Sequence, residues 1–303
     1  MFKKSAVIAI LVVGMLFITC KESTENKETI LKGSVSIIVD ETLLPIIQDQ
    51  VQVFESTYDA KITLIPKSES EALNALFHDK SVIAILARDL TKVEKDNFLQ
   101  KKIIPKTTLF ASDAIAFISN KSSNDTLVAI KDVVSFMNGN QNQAFKGLVF
   151  DNPNSSTVRY MNTLAGLKTI PSKGVFSLKT NDEVIKFVAQ NKGMIGVVGV
   201  NWLSQPQPDM QQFVGQVAVM SVKGMTSTTY QSPSQNSMAE GTYPLARDLY
   251  IINCQGYSGL GMGFASFVAG DIGQRIILKS GLLPVRVPNR KLMIRNKINN
   301  DKK

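Results

Sequence analysis

Ser155-Ser156-Thr157 is the stretch of this chain whose residue types most plainly suggest chemistry. It stands in FDNPNSSTVRYM (Phe150–Met161), between a turn-forming Asp-Asn-Pro-Asn and a run of helical character. Two readings share one physics. Ser, Thr, Asn and Asp cap helices because their oxygens satisfy the orphan N–H groups of the first turn. The same N–H groups, with the partial positive charge of a helix N-terminus, can instead cradle an anion, and hydroxyls add further donors. The cap is the commoner role, and the triplet alone does not separate the two.

Other chemistry is thinly represented. His78 is the single histidine, near the end of a helical run, and reads as a surface residue. With no second histidine and no cysteine cluster, a zinc site of ordinary composition is not expected, and no other metal or cofactor is implied. GYSGLG (Gly256–Gly261) nearly spells a nucleophile elbow, but Leu260 stands where the motif needs glycine. No lysine follows a glycine-rich phosphate loop, and no carboxylate pair stands out for acid–base work. A hydrolase built on Ser258 is the weakest reading, and an enzyme is not expected.

The ends of the chain carry different information. Lys3 and Lys4 precede an apolar run, Ser5 to Ile18, that stops at Cys20 and gives way to polar KESTENKE. The run is short for a membrane span and has the flanks of an export signal. It resembles a bacterial lipoprotein signal, with residues 1–19 removed, Cys20 lipidated and 20–32 a tether; an uncleaved signal anchor is the alternative. Cys254 would then be the remaining thiol, a small buried hydrophobe at a strand end. The net charge of +9 is concentrated at the termini. Lys3 and Lys4 supply +2 and the tail Arg286–Lys303 supplies +6, which leaves a body of +1. The globular part is therefore nearly neutral and the charge an appendage, so no nucleic-acid partner is expected. The tail reads as a solvated end, or as a contact for anionic lipid or a partner.

The elements that must hold the triplet alternate. SVSIIVD (Ser34–Asp40) is a strand, TLLPIIQDQVQVFESTY is helical, KITLIPK is a strand, SESEALNALFH opens as a helix with a Ser68/Glu71 capping box, and VIAILA is a strand. This order predicts a mainly parallel α/β sheet, with ligands beyond the carboxyl ends of the strands. Asp40, Glu41, Thr42, Ser68, Arg88 and Asp89 fall at that edge. A second α/β block begins near SDAIAFISNK and includes the helix DEVIKFVAQNKG and the strand MIGVVGV. YPLARDLYIIN is then a strand, and GMGFASFVAGDIGQRIILKSG is expected to be one helix.

Several of these stretches, in order, resemble the phosphate-type solute-binding proteins of ABC transporters. GTYPLARDLYI (Gly241–Ile251) resembles that family's Tyr-Pro-Leu-Ser-Arg-x-Leu-Tyr strand, and LARDLTKVE its Ser-Arg-x-Leu-x-x-x-Glu. SDAIAFISNK and NKGMIGVVGVNWL resemble two strands of its second lobe, and FASFVAGDIGQRIILKSGLLPV its closing helix. The resemblance implies a two-lobed, periplasmic-binding-protein-like (type II) α/β fold with an anion in the cleft. Lobe 1 would be 33–111 with 243–285, lobe 2 would be 112–242, and 286–303 a basic tail. It implies that Ser155, Ser156 and Thr157 occupy the family's Ser-Gly-Thr position and favours the cradle there, with Arg159 one place beyond the usual arginine. Thr42, Ser68 and Arg88 would be contacts from lobe 1, and Asp89 would orient Arg88 or accept a ligand proton. Three positions depart from the pattern. Asp151 stands where an arginine is usual, Asp40-Glu41-Thr42 replaces Gly-Ser-Thr, and KSESEA replaces a glycine-rich loop.

The resulting expectation is a monomeric, lipid-anchored extracytoplasmic protein that captures inorganic phosphate or a similar oxyanion for an ABC permease. It would face the periplasm or the cell surface. The alternative is a lipid-anchored interaction protein that reuses the fold with another ligand or none.

Overall fold

The computed structural model describes residues 28–78, 83–140 and 145–287. The export signal, Cys20, most of the tether and the tail beyond Val287 lie outside the described residues. Among the described residues no helix is long and apolar enough to cross a membrane.

The chain enters through β1 (Gly33–Asp40), a 3-10 turn (Glu41–Leu43), α1 (Leu44–Thr57), β2 (Ala60–Lys67), α2 (Glu69–His78), β3 (Ile83–Leu86) and α3 (Lys92–Gln100). The long β4 (Lys106–Asn120) leads to β5 (Leu127–Ala129), α4 (Ile130–Met137), β6 (Gly147–Phe150), α5 (Ser156–Ala165), β7 (Val175–Ser177), α6 (Asn181–Gln190) and β8 (Met194–Gly199). Short helices α7 (Asn201–Ser204) and α8 (Gln211–Val214) precede β9 (Val217–Val219), β10 (Ser221–Lys223), β11 (Tyr230–Gln231) and α9 (Gln235–Ala239). The chain then returns through β12 (Ala246–Asn253), α10 (Leu260–Ala269), α11 (Asp271–Lys279) and β13 (Leu283–Pro284).

The sheet runs β2-β1-β3-β12-β4-β8-β6-β7, with β9 and β13 also on β4. β1 is parallel to β2 and β3, and β6 is parallel to β7 and β8. These are the parallel sets that the strand–helix alternation predicts. Between them stand the two crossover strands, β4 and β12, antiparallel to each other and to their neighbours. β4 is long enough to serve both halves: Lys106–Ala114 pairs with β12, and Ile115–Ile118 pairs with β8.

The core divides in the same way, into two lobes. One set of clusters gathers Ile37, Leu43, Phe54, Ile85, Phe110, Leu249 and Phe264, with Leu76, Leu86 and Phe98 on the other face. The second set gathers Phe117, Phe136, Leu148, Phe150, Met161 and Val197, with Val149, Val184, Val188 and Val198 opposite. Each sheet half is therefore apolar on both faces, as parallel strands covered by helices must be. The helical run over Gly261–Gly281 departs from expectation. It is two helices, broken at Gly270, whose extended ψ of 176° cannot continue a helix. α11 folds back so closely that a Cβ on Gly273 would lie 2.5 Å from the Phe267 carbonyl oxygen.

Candidate anion cradle between the lobes

The Ser155-Ser156-Thr157 question resolves into a division of labour. Ser155 is the N-cap of α5: its Oγ accepts the Val158 N–H at 3.2 Å and donates to Asp151 Oδ1 at 2.6 Å. Ser156 and Thr157, both fully buried, lie on the side of the first turn that faces Arg247 of β12. The guanidinium Nη1 donates to Ser156 Oγ at 2.9 Å and reaches Thr157 Oγ1 at 3.5 Å. Its Nη2 donates to Asp113 Oδ2 of β4 at 3.0 Å and reaches Thr42 Oγ1, from lobe 1, at 3.4 Å. Thr42 Oγ1 and Ser156 Oγ are themselves 3.0 Å apart. A helix N-terminus, three hydroxyls and one guanidinium thus converge where the lobes meet, the donor set that holds an oxyanion with little net charge.

Local structure fixes each part. Asp40 caps the 3-10 turn by accepting the Thr42 N–H at 3.0 Å, which presents Thr42 toward lobe 2. The Thr42 carbonyl accepts Asn201 Nδ2 at 3.0 Å and Trp202 Nε1 at 2.8 Å, both from α7 of the second lobe. Gly199, at the end of β8, leaves the room this needs. A Cβ there would lie 2.6 Å from Asn201 Oδ1 and 3.3 Å from Asp113 Oδ2.

Carboxyl groups crowd the cradle. Asp40, Asp113 and Asp151 are all buried, and Glu41 is half-buried. Burial raises Asp40 and Asp113, with the Arg247 charge opposing it at both. Burial pushes Asp151 up to about 7, opposed first by the Ser155 hydroxyl. Glu41 also rises to about 7, from burial and then the nearby Asp40 charge. Among the described residues no His, Cys, Asp or Glu cluster is arranged to hold a metal ion.

The other expected site residues gather elsewhere. Ser68 caps α2: its Oγ donates to Glu71 Oε2 at 2.7 Å, and Glu71 Oε2 also accepts the Ser68 N–H at 3.1 Å. Arg88, expected as the anion's guanidinium, is instead gripped by Glu94 of α3, at 2.8 and 2.7 Å, and by Glu69 Oε1 at 3.1 Å. Asp89 does not orient the Arg88 side chain through its carboxylate. Its carboxylate accepts the Leu90 N–H at 2.7 Å and pairs with Lys95 at 2.6 Å, and only its backbone carbonyl receives Arg88. Arg159 of α5 reaches across the cleft to both oxygens of Glu69, with Nη2–Oε2 at 3.2 Å. Glu69 thus links a lobe-1 arginine to a lobe-2 arginine, a second polar junction beside the cradle.

Arg247 and Asp113 are the residues of this junction that motif reading passed over, and a signal for both was present. In ARDLYIIN the burial alternates, placing Arg247 in phase with Leu249 and Ile251 rather than with the exposed Asp248. Asp113 likewise sits in the buried run of β4. A charged residue on the apolar phase of a strand requires a buried partner. Here the two partner each other. Ser258, in the near-elbow, is exposed in the loop before α10, and His78 is exposed at the end of α2.

Two lobes joined by crossover strands, with a buried polar junction between them at the carboxyl ends of the parallel strands, define a solute-binding architecture. The chain belongs to the PBP superfamily, whose domain model matches residues 24–271. It is 26% identical over 306 residues to the phosphate-binding protein PstS of Borreliella burgdorferi, covering 94% of this chain and 99% of that protein. A Clostridium perfringens structure, assigned as a phosphate ABC transporter substrate-binding protein and solved with bound phosphate, superposes with a TM-score of 0.69. Its identity is 19%, over 84% of this chain and 100% of that one. An ABC-type phosphate transport receptor from Vibrio cholerae gives a TM-score of 0.62 at 16% identity, over 83% and 100%. At these identities the structural likeness establishes the two-lobed fold.

Proposed function

We propose that this chain is an extracytoplasmic solute-binding protein that captures an oxyanion, phosphate first, and delivers it to an ABC permease. The observation that carries the reading is Arg247, buried between the lobes, with its Nη groups on Asp113, Ser156, Thr157 and Thr42 at the N-terminus of α5. The names of the relatives favour phosphate within the oxyanion class. Capture would close the lobes about the crossover segments near Ser112 and Tyr243. Lipidation of Cys20 would hold a monomer at a bacterial membrane, facing the periplasm or the cell surface. The relatives are named as binding proteins rather than enzymes, which favours capture over catalysis.

A second reading is favoured by one specific feature. Thr42 and Ser156 hydrogen-bond directly across the cleft, and Asp113 already balances Arg247. A fold reused for protein contacts would have its cradle hydroxyls bonded to each other in this way. Titration calorimetry on the exported chain, stripped of ligand by unfolding and refolding, separates the two. Saturable heat with phosphate is the expected result. No heat with phosphate or sulfate, in folded protein, would favour the interaction protein.

A further inference from the structure

The cradle holds one cation and too many acids. Facing Asp40 are Glu41 on the adjoining turn, Asp151 from the loop before α5, Glu69 from α2 and Arg247 from β12, with Asp113 of β4 on the far side of the guanidinium pairing. Ser156 and the Thr42 N–H are its neutral neighbours, and the Tyr160 and Tyr243 hydroxyls border the same ionic group. Arg247 is already matched by Asp113. Any oxyanion that entered with Asp40 and Asp151 both ionised would meet a net negative site of low dielectric, where like charges repel strongly.

The three aspartates differ in what their oxygens do. Asp113 is ion-paired with Arg247 through Oδ2 at 3.0 Å, and its Oδ1 has no hydrogen-bond partner among the described residues. Both Asp151 oxygens accept protein donors, from Ser155 at 2.6 Å and Asn181 at 3.0 Å. Asp40 accepts the Thr42 N–H through Oδ1 only. Its Oδ2 is buried and has no hydrogen-bond partner among the described residues, while the Ser156 hydroxyl lies close to the carboxyl group. Ser156 is itself a cradle hydroxyl, so the Asp40 carboxyl, which among the described residues has an unpartnered oxygen and no ion pair of its own, borders the cradle.

We infer that Asp40 is a further ligand-binding residue, protonated when the oxyanion is held, with its Oδ2–H donating to the anion. The proton comes from solvent, so capture consumes a proton at neutral pH and strengthens under mild acid. Burial, reinforced by the Glu69 charge against the pull of Arg247, raises the Asp40 pKa in the direction this requires. The inference rests on the oxyanion reading of the cradle and deepens it.

Phosphate titrations between pH 5.5 and 8.5, in buffers of different ionisation enthalpy, test it by comparing the wild type with Asp40→Asn. The amide mimics the neutral acid, and the ligand's own ionisation is the same in both proteins. The wild type is expected to take up about one proton more per phosphate than Asp40→Asn, and to lose about tenfold more affinity over the range. Equal proton counts would overturn the assignment and leave the oxyanion reading standing. So would a folded Asp40→Asn protein that binds no phosphate while the wild type does. A wild type that binds no phosphate at any pH would overturn both. Should Asp40→Asn not fold, the infrared carbonyl band of a protonated carboxyl decides in the wild type. Its gain on phosphate binding is expected, and its absence contradicts the assignment.

Discussion

Two polar junctions cross the cleft side by side, and they are built on opposite principles. At Glu69 the charges are matched: two arginines, Arg88 and Arg159, meet two glutamates, Glu69 and Glu94. The strong Arg88 contact holds Glu94 down to about 2. At Arg247 a single guanidinium stands among Asp113, Asp40, Asp151 and Glu41, and every one of those carboxyls is pushed upward. The first junction is complete without a ligand and suits a latch. The second is unbalanced and suits a place where protons and an anion come and go. Perturbed carboxyl groups at a cleft with a specific charge partner are the pattern expected of a functional site.

The largest effect that would break this contrast comes from removing Arg247. Arg247→Ala leaves Asp113 buried without its ion partner, which costs about 3–5 kcal/mol. Denaturant unfolding should show a loss of that size together with loss of oxyanion binding. A drop below 1 kcal/mol would mean that Asp113 is not the charge it is taken to be.

Gly199→Ala should follow. Its Cβ would clash with Asn201 Oδ1 at 2.6 Å and crowd Asp113 Oδ2 at 3.3 Å, so the lobe junction must shift. Overpacking of this kind costs about 1–3 kcal/mol. Phosphate affinity should fall with it, while Gly139→Ala provides a contrast, since open space surrounds Gly139 but its φ of 90° carries strain alone.

The matched junction should respond less. Glu69→Gln leaves Arg88 on Glu94 and Arg159 partly in solvent, so neither arginine becomes a buried orphan. Global stability should fall by about 1–2 kcal/mol, in the range for losing a charged hydrogen bond. The ligand off-rate should rise, because this link spans the lobes. Unchanged dissociation kinetics would remove the latch role.

The remaining effect, spread over several pH units, is in pH dependence. Asp151 and Glu41 have folded pKa values near 7, above their unfolded values, so the native state keeps protons that the unfolded chain releases. Their contribution is complete below about pH 4 and is lost as pH rises through 7. Glu94 works in the opposite sense, but its loss lies below pH 4.5, toward 2. Stability should therefore decline from pH 5 to pH 8. Asp151→Asn should gain on the order of 2 kcal/mol at pH 8 and progressively less toward pH 4. Thermal melts across that range provide the check.

How much of this was legible in the sequence follows the same division. Strand–helix alternation is a local signal, and it gave the parallel sets, the Ser68 capping box and the cap–cradle pairing around Ser155. The order of the motifs along the chain carried the two-lobed fold. The choice of guanidinium was harder, because Arg88 and Arg247 both sit at strand edges near the cleft. The turn after β3 and the Thr91 cap of α3 bring Glu94 back onto Arg88, which the spacing alone does not show. Arg247 could have been found from strand phase, since it falls among Leu249 and Ile251. The break at Gly270 was hidden because glycine is tolerated within a helix when packing favours it, and it was tertiary packing of α11 on α10 that decided against continuity.

The most direct test sets the two arginines against each other. Phosphate titrations of Arg88→Ala and Arg247→Lys would be compared with the wild type, the lysine keeping a charge beside Asp113 but losing the planar fork. Retention of binding within a few-fold in Arg88→Ala, with loss of at least about tenfold in Arg247→Lys, is the predicted result. Loss in Arg88→Ala with binding preserved in Arg247→Lys would contradict the account and move the anion to the Glu69 junction.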